Sequence, residues 1–171
     1  MIELSLRADE RGFFARAFCA RTFRDWGLEH DFPQVNLSMS LKRGTIRGLH
    51  YQIPPAAEAK LIRVIRGRIQ DVLVDLRQGS PTFMKWHAEI LTSDDRRMVY
   101  IPPGCAHGYQ ALDDGAEVLY SASQEYEPTL ERQVRFDDPR LGIVWEEKEV
   151  TLSPKDLSTP DLPADFAGVA L

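Results

Sequence analysis

The sequence predicts an all-β fold, a jelly-roll barrel or sandwich with a few short helices and a C-terminal tail packed on the barrel. Three observations predict it. Apolar spacing of three and four residues, the mark of an amphipathic helix, is weak and confined to the stretch from Ala20 to Leu28. Short β-rich runs recur through the rest of the chain. Turn-forming clusters separate them at Gly79-Ser80-Pro81, Ser93-Asp94-Asp95, Pro102-Pro103-Gly104 and Asp113-Asp114-Gly115, the cadence of an antiparallel sandwich or barrel. Taken in order, the helical stretch comes first, and Ala59 to Leu76 then holds two β-rich runs broken at Arg66-Gly67, the pattern of a hairpin with glycine at the turn. Strands are expected at Trp86 to Thr92, Met98 to Ile101 and Glu117 to Ala122. The last segment, from Ser153 to Leu171, is rich in Pro, Asp and Ser and reads as the tail.

At 171 residues the chain has the size of a single domain, residues 1–171, large enough to bury a core without disulfides or a structural metal. Its 43% hydrophobic content excludes disorder as the main state. A formal charge of -5 argues against non-specific binding to nucleic acid or to an anionic membrane. Cys19 and Cys105 form no CxxC pair, so neither a disulfide framework nor a zinc knuckle is expected. The N-terminal stretch MIELSLRADERG lacks the apolar core of a signal peptide, and no stretch is long and apolar enough to span a membrane. The expected location is the cytoplasm.

Four histidines could carry chemistry: His30, His50, His87 and His107. His50 lies in RGTIRGLHYQ, a strand-like run punctuated by Gly44 and Gly48 and carrying Arg43 and Arg47. His107 follows a Pro-Pro-Gly turn that would aim it at the end of a strand. Pro102-x-Gly104-x-x-His107 resembles the second motif of the cupin superfamily, many of whose members bind a metal. Such centres need three or four converging ligands, usually a His-x-His pair and a Glu. Here His50 is followed by Tyr51 and Gln52, so a metal-dependent cupin oxygenase or isomerase is disfavoured. Imidazole suits metal-free proton transfer because it titrates near neutrality. Such a base needs a carboxylate to fix its tautomer, which the residues alone do not identify. It also needs a donor beside the carbonyl oxygen to hold the enolate charge. Lys60, Arg47 and His107 are candidates for that donor.

Ordered blocks cover almost the whole chain. They run from Asp9-Glu10-Arg11-Gly12-Phe13-Phe14 through Gln34-x-Asn36-x-Ser38-x-Ser40, Arg47-Gly48-Leu49-His50-Tyr51-Gln52 and Lys60-Leu61. Further blocks are Gly67-x-Ile69-x-Asp71-Val72-x-Val74-Asp75-Leu76-Arg77, Ser80-Pro81-Thr82-Phe83, Ile101-Pro102-x-Gly104-x-Ala106-His107-Gly108, Tyr120 and Tyr126-x-Pro128. Asp137-Asp138-Pro139, Ile143-x-Trp145 and Leu152-Ser153-x-Lys155-Asp156 complete them. In these blocks the sequence resembles the dTDP-4-dehydrorhamnose 3,5-epimerases, the RmlC-like sugar epimerases of the cupin superfamily.

The resemblance implies a strand-exchanged homodimer of jelly-roll subunits that uses no metal and no redox cofactor and acts on a nucleotide-linked 4-keto-6-deoxyhexose, in a route to rhamnose or a related deoxysugar. It implies that His50 is the general base, oriented by Asp156, that Lys60 stands beside the enolate oxygen, and that Tyr120 returns a proton on the opposite face. It further implies that Tyr126 is a binding-site aromatic and that Arg47 and His107 lie near the sugar and diphosphate. Arg11, Gln34, Asn36 and Glu131 would contact nucleotide and sugar, and Phe14 the nucleobase, in the family often from the partner subunit. The chemistry agrees: inverting a carbon next to a ketone needs a base on one face, an acid on the other and a stabilised enolate between them. A non-catalytic nucleotide-sugar-binding barrel could dispense with His50, Tyr120 and Lys60.

Three departures from the family pattern stand out. Ala15-Arg16 replaces a segment in which a Glu commonly helps bind the nucleoside, which leaves the base identity open, since guanidinium donates hydrogen bonds where carboxylate accepts them. The N-terminus is shorter than in most members, which bears on dimer exchange, and Trp145 is followed by Glu146 where Pro is usual. Residue identity does not separate inversion at C3, at C5 or at both.

Overall fold

The computed structural model describes residues 1–171. In chain order its elements are β1 (Ile2–Glu3), β2 (Leu6–Asp9), β3 (Gly12–Ala15), α1 (Ala20–Asp25), β4 (Gln34–Ser40), β5 (Ile46–Gln52), β6 (Lys60–Arg66), β7 (Arg68–Asp75), β8 (Trp86–Thr92), β9 (Arg97–Ile101), β10 (Cys105–Ala111), β11 (Ala116–Ala122), β12 (Glu131–Gln133) and α2 (Pro154–Leu157). Two five-stranded antiparallel sheets hold most of them, in the orders β1-β9-β6-β11-β4 and β12-β5-β10-β7-β8. β2 and β3 form a separate hairpin. No helix is long and apolar enough to cross a membrane.

The expected strands are present within a residue at each end, and the helical stretch is shorter than expected, ending at Trp26 before Gly27, whose φ is +71°. The expected hairpin fails. The break at Arg66-Gly67 does not make a hairpin, because β6 pairs with β9 and β11 whereas β7 pairs with β10 and β8 in the other sheet. Gly67, at φ +72°, turns a corner between the sheets. A glycine between two strand-like runs marks a reversal, but the choice of partner strand is made by the rest of the fold. His107 also sits elsewhere than expected, as the third residue of β10 and buried, because the Pro-Pro-Gly turn closes three residues before it.

Alternation along the strands divides the side chains between inner and outer faces. Ile62, Val64, Ile69, Leu91, Val99, Ile101, Tyr109 and Val118 meet between the sheets at one end of the sandwich. The outward residues of the second sheet, Leu49, Val72, Val74, Leu76 and Ala106, are covered by Val134, Leu141, Leu162 and Val169. Each fully buried aliphatic side chain contributes about 1.5–3 kcal/mol, so this second cluster fastens the C-terminal segment to the barrel. The tail thus packs as the sequence suggests, with Val169 bridging to Arg77. Trp86 and Trp145 lie partly buried against the same cluster, and α1 covers part of the first sheet's outer face through Phe23, Leu61 and Met98.

Candidate active site

At the other end of the sandwich the space between the sheets is open. A cavity of about 550 Å³, ample for a small ligand, is lined from one sheet by Arg47, His50, His107, Tyr109 and Glu131 and from the facing sheet by Gln34, Asn36, Ser38, Lys60 and Tyr120. β4 reverses the usual pattern: Gln34, Asn36 and Ser38 point inward to the cavity, whereas Val35, Leu37 and Met39 point outward and are exposed.

A β-bulge brings Arg47 and His50 to the same side. Strict alternation would place residues three apart on opposite faces. In β5, however, His50 pairs with His107 and Arg47 pairs with Tyr109, so three steps on β5 match two on β10. Gly48, at φ +126°, takes up the extra residue. A Cβ there would lie 2.5 Å from Gly108 Cα, so the backbones approach too closely for any larger residue.

Two histidine–carboxylate pairs stand side by side. His50 Nε2 donates to Asp156 Oδ1 at 2.7 Å, and His107 Nε2 donates to Asp71 Oδ1 at 2.7 Å. An ionised carboxylate only accepts, so each pair fixes the proton on Nε2 and leaves Nδ1 as the free, basic nitrogen. Asp156 comes from α2. Ser153 caps that helix, accepting from the Asp156 backbone N–H at 3.1 Å and donating to Oδ2 at 2.9 Å, and Pro154 opens the first turn. Burial alone would raise the Asp156 carboxyl, but the bonds from His50 and Ser153 and the charges of His50 and Lys155 outweigh it and hold it below the ordinary carboxylate range.

On the facing sheet, burial is the main cause that pushes the Tyr120 phenol above its ordinary value near 10, reinforced by Tyr109, Glu58 and Glu131 against the opposing charge of Arg47. Tyr120 is therefore a protonated acid at neutral pH. Lys60 Nζ lies 3.0 Å from Glu58 Oε1 and donates to the His50 carbonyl at 3.1 Å. At the mouth, the Tyr126 hydroxyl donates to Glu131 Oε2 at 2.9 Å and the Lys155 ammonium pairs with the same carboxylate. The bond to Glu131, then burial, raises the Tyr126 phenol.

Of the residues singled out from sequence, Gln34, Asn36, Arg47, His50, Lys60, His107, Tyr120, Tyr126 and Glu131 line this cavity. Asp156 stands directly behind His50. Arg11 and Phe14 do not join them: both lie exposed on the β2–β3 hairpin, with Arg11 paired to Asp9. Sequence reasoning assigned no role to Asp71, Glu58 or Lys155. A carboxylate inside the buried run Ile69-Gln70-Asp71-Val72 needs a buried partner, which was the available signal for Asp71. Glu58-x-Lys60 puts an acid and a base on one side of an extended chain, a weaker signal. For a metal the fit is poor, since no three His, Cys, Asp or Glu side chains converge as a ligand set.

Comparison with known proteins agrees with this geometry. Residues 1–164 match the family described as dTDP-4-dehydrorhamnose 3,5-epimerase. The chain belongs to the dTDP-4-dehydrorhamnose 3,5-epimerase family. It is 40% identical over 159 residues to the dTDP-4-dehydrorhamnose 3,5-epimerase of Shigella flexneri, covering 92% of this chain and 87% of that one. The Bacillus anthracis epimerase of the same description, solved with TDP and PPi bound, superposes with a TM-score of 0.90 at 41% identity, over 94% of this chain and 91% of that one. A Legionella pneumophila epimerase in complex with dTDP-4-keto-L-rhamnose gives 0.85 at 40% identity, over 92% and 84%. A 3′-monoepimerase from Streptomyces bikiniensis in complex with dTDP-quinovose gives 0.86 at 34%, over 94% and 81%. The family's jelly-roll architecture is thus the fold of this chain, and 3,5-epimerases and a 3′-monoepimerase share it.

Proposed function

We propose that this protein epimerises a dTDP-linked 4-keto-6-deoxyhexose at C3 and C5, as a step in making dTDP-rhamnose. One observation carries the reading: a His–Asp base projects from one sheet and a protonated tyrosine from the facing sheet, into a single cavity. His50 Nδ1 takes the proton from the carbon next to the C4 ketone, and the electron pair moves onto the ketone oxygen. The Lys60 ammonium stabilises that enolate charge, while His107, its ring proton committed to Asp71, stands beside the sugar. Tyr120 then donates its proton to the opposite face, which inverts the carbon, and solvent returns the two residues to their starting protonation. Neither redox chemistry nor a cofactor is required for this sequence. Arg47, whose guanidinium is held by Ser40 Oγ at 3.2 Å and the Met39 carbonyl at 2.7 Å, serves the diphosphate, with Gln34, Asn36 and Glu131 on the sugar and nucleotide.

We infer further that residues 1–171 fold as one unit and work as a homodimer in a reducing compartment, the cytoplasm. β4 is an edge strand, and Val35 and Leu37 on its outer side are each 62% exposed, an apolar row that a second copy would cover. The hairpin carrying Arg11 and Phe14 stands clear of its own cavity, which suits delivery of both to the partner's nucleotide. Two unpaired cysteines suit a reducing environment.

The test is incubation with dTDP-4-keto-6-deoxyglucose in D₂O, followed by NMR. Deuterium at both C3 and C5 is expected. Deuterium at one carbon alone would make the protein a mono-epimerase. No incorporation by folded protein, with dTDP-, CDP- and GDP-linked ketosugars alike, would overturn the reading.

A further inference from the structure

Glu58 is a buried carboxylate in the catalytic cavity to which the proton-transfer scheme gives no task. It lies in the loop between β5 and β6, with its side chain 6% exposed and that of Lys60 13% exposed. One carboxylate oxygen is 3.0 Å from Lys60 Nζ, and the other accepts the Gln52 backbone N–H at 3.1 Å. Gln52 is itself fixed: its side chain donates to the Ala56 and Glu125 carbonyls at 3.0 and 3.2 Å and accepts the Glu127 N–H at 2.6 Å. The carboxylate is therefore held from behind by backbone rather than by a mobile side chain.

An ammonium has three N–H donors on a flexible four-carbon stem. In Lys60 one of the three is donated to the His50 carbonyl, and the ammonium pairs as an ion with the Glu58 carboxylate 3.0 Å away. Lys60 lines the cavity, so an N–H not committed to the His50 carbonyl is left for an oxygen there. Donors stabilise developing charge most when they are already in place, because no reorganisation is needed as the charge forms. A cation this far from water also needs a counter-charge, and Glu58 is the carboxylate paired with it. The other charged or titratable groups on the cavity wall are Arg47, His50 and Tyr51 from β5, His107 and Tyr109 from β10, Tyr120 from β11, Tyr126 from the loop after β11, and Glu131 from β12.

We infer that Glu58 is a positioning residue for Lys60: its charge and the His50 carbonyl together hold the ammonium in place, so that an uncommitted N–H is presented to the oxygen on which enolate charge develops. This rests on the epimerase reading. It also links the base strand to the enolate donor, since the carbonyl that holds Lys60 belongs to His50 itself.

The test compares wild type, Glu58→Gln, Lys60→Met and the double variant, by kcat, KM and the initial rate of deuterium wash-in from D₂O into dTDP-4-keto-6-deoxyglucose. Glutamine keeps an acceptor for the Gln52 N–H and removes only the charge. The expected result for Glu58→Gln is a kcat at least about 10-fold lower with KM within about twofold, the pattern of a misplaced group rather than of lost binding. The double variant should be no slower than Lys60→Met alone, because Glu58 acts through Lys60. Glu58→Asp, which keeps the buried charge and so the fold, should fall between wild type and Glu58→Gln, with an unchanged Tm. A folded Glu58→Gln or Glu58→Asp with kcat equal to or above wild type overturns the inference, as do losses that multiply in the double variant. Failure of wild type to exchange deuterium would instead sink the epimerase reading.

Discussion

Replacing Asp156 by Asn tests the base directly. The Asp156 side chain is 6% exposed and that of His50 32%, with Nε2 and Oδ1 2.7 Å apart. When His50 takes the substrate proton it becomes a cation beside this carboxylate. Charge centres about 4 Å apart interact by about 4 kcal/mol at an effective dielectric of 20. Asparagine keeps an oxygen that accepts from Nε2, a neutral bond worth about 1 kcal/mol. The difference of about 3 kcal/mol appears only once the imidazolium forms, so it falls on the barrier and lowers kcat by roughly 10²-fold. KM should change little. Ser153 and Gln133, which donate to the carboxylate at 2.9 and 3.2 Å, keep acceptable partners, so the variant should fold. The assay is kcat together with deuterium wash-in at C3 and C5, with Tm as the control. A folded Asp156→Asn within about fivefold of wild-type kcat would refute the argument that this carboxylate stabilises the charged base.

The other predictions concern the acid, the bulge, the edge and the turn. Tyr120→Phe should lower epimerisation by roughly 10²- to 10⁴-fold while wash-in persists, because His50 still removes and returns the proton on its own face. Since the Tyr120 phenol is raised above 10, chiefly by burial, wild-type activity should lose little to its ionisation below about pH 9; a basic limb near pH 8 that disappears in Tyr120→Phe would contradict this. In Gly108→Ala the new Cβ would meet the Arg47 carbonyl at 2.7 Å and Leu49 Cδ2 at 2.9 Å, and the strain should cost about 1–3 kcal/mol, read as a lower Tm. Leu37→Glu should leave activity per folded chain reduced and the mass by light scattering halved, if the apolar row of β4 is the dimer face. Asp75 accepts from Arg77, Ser80 and Thr82, which hold its carboxyl well below the usual range against the effect of burial, the Arg77 bond leading. Its folded pKa is depressed, so its contribution is present above about pH 3.8 and lost as pH falls through the folded value. Asp75→Asn should therefore cost about 2 kcal/mol at pH 7, with the deficit narrowing in acid, as followed by thermal melts across pH.

Much of the fold was legible because it is local. β-rich runs and turn clusters located the strands at residues 60–66, 68–75, 86–92, 97–101 and 116–122. Strand partners were not legible. Arg66-Gly67 looks like a hairpin because the sequence states only that the chain reverses; whether it reverses within a sheet or between sheets depends on which strands arrive later, here β9, β10 and β11. β4 escaped the hydrophobic reading for another reason. Its inward residues are polar because they face a cavity, and its outward residues are apolar, so alternation is intact with the sign inverted.

The site divides along the same line. His50 and His107 were visible as histidines beside glycine and proline punctuation, but nothing in RGLHYQ says that Arg47 and His50 share a face. By simple alternation they do not. The bulge at Gly48 changes the parity of β5, and it exists because Gly48 and Gly108, sixty positions apart, bring their backbones together with no side chain between them. The third member of the base assembly, Asp156, comes from a four-residue helix too short for periodicity to detect, started by a Ser-Pro cap and held by apolar residues that follow it, Leu162 and Val169. Each contributor is thus encoded where only the assembled barrel reads it: a pair of glycines sets the faces, and a buried tail sets the carboxylate. A change in either should act on kcat as well as on stability. Val169→Ala puts that to the test: removing two methyl groups from the tail's anchor should loosen Asp156 behind His50, and a Tm loss with kcat per folded chain untouched would show that the tail only covers the sheet.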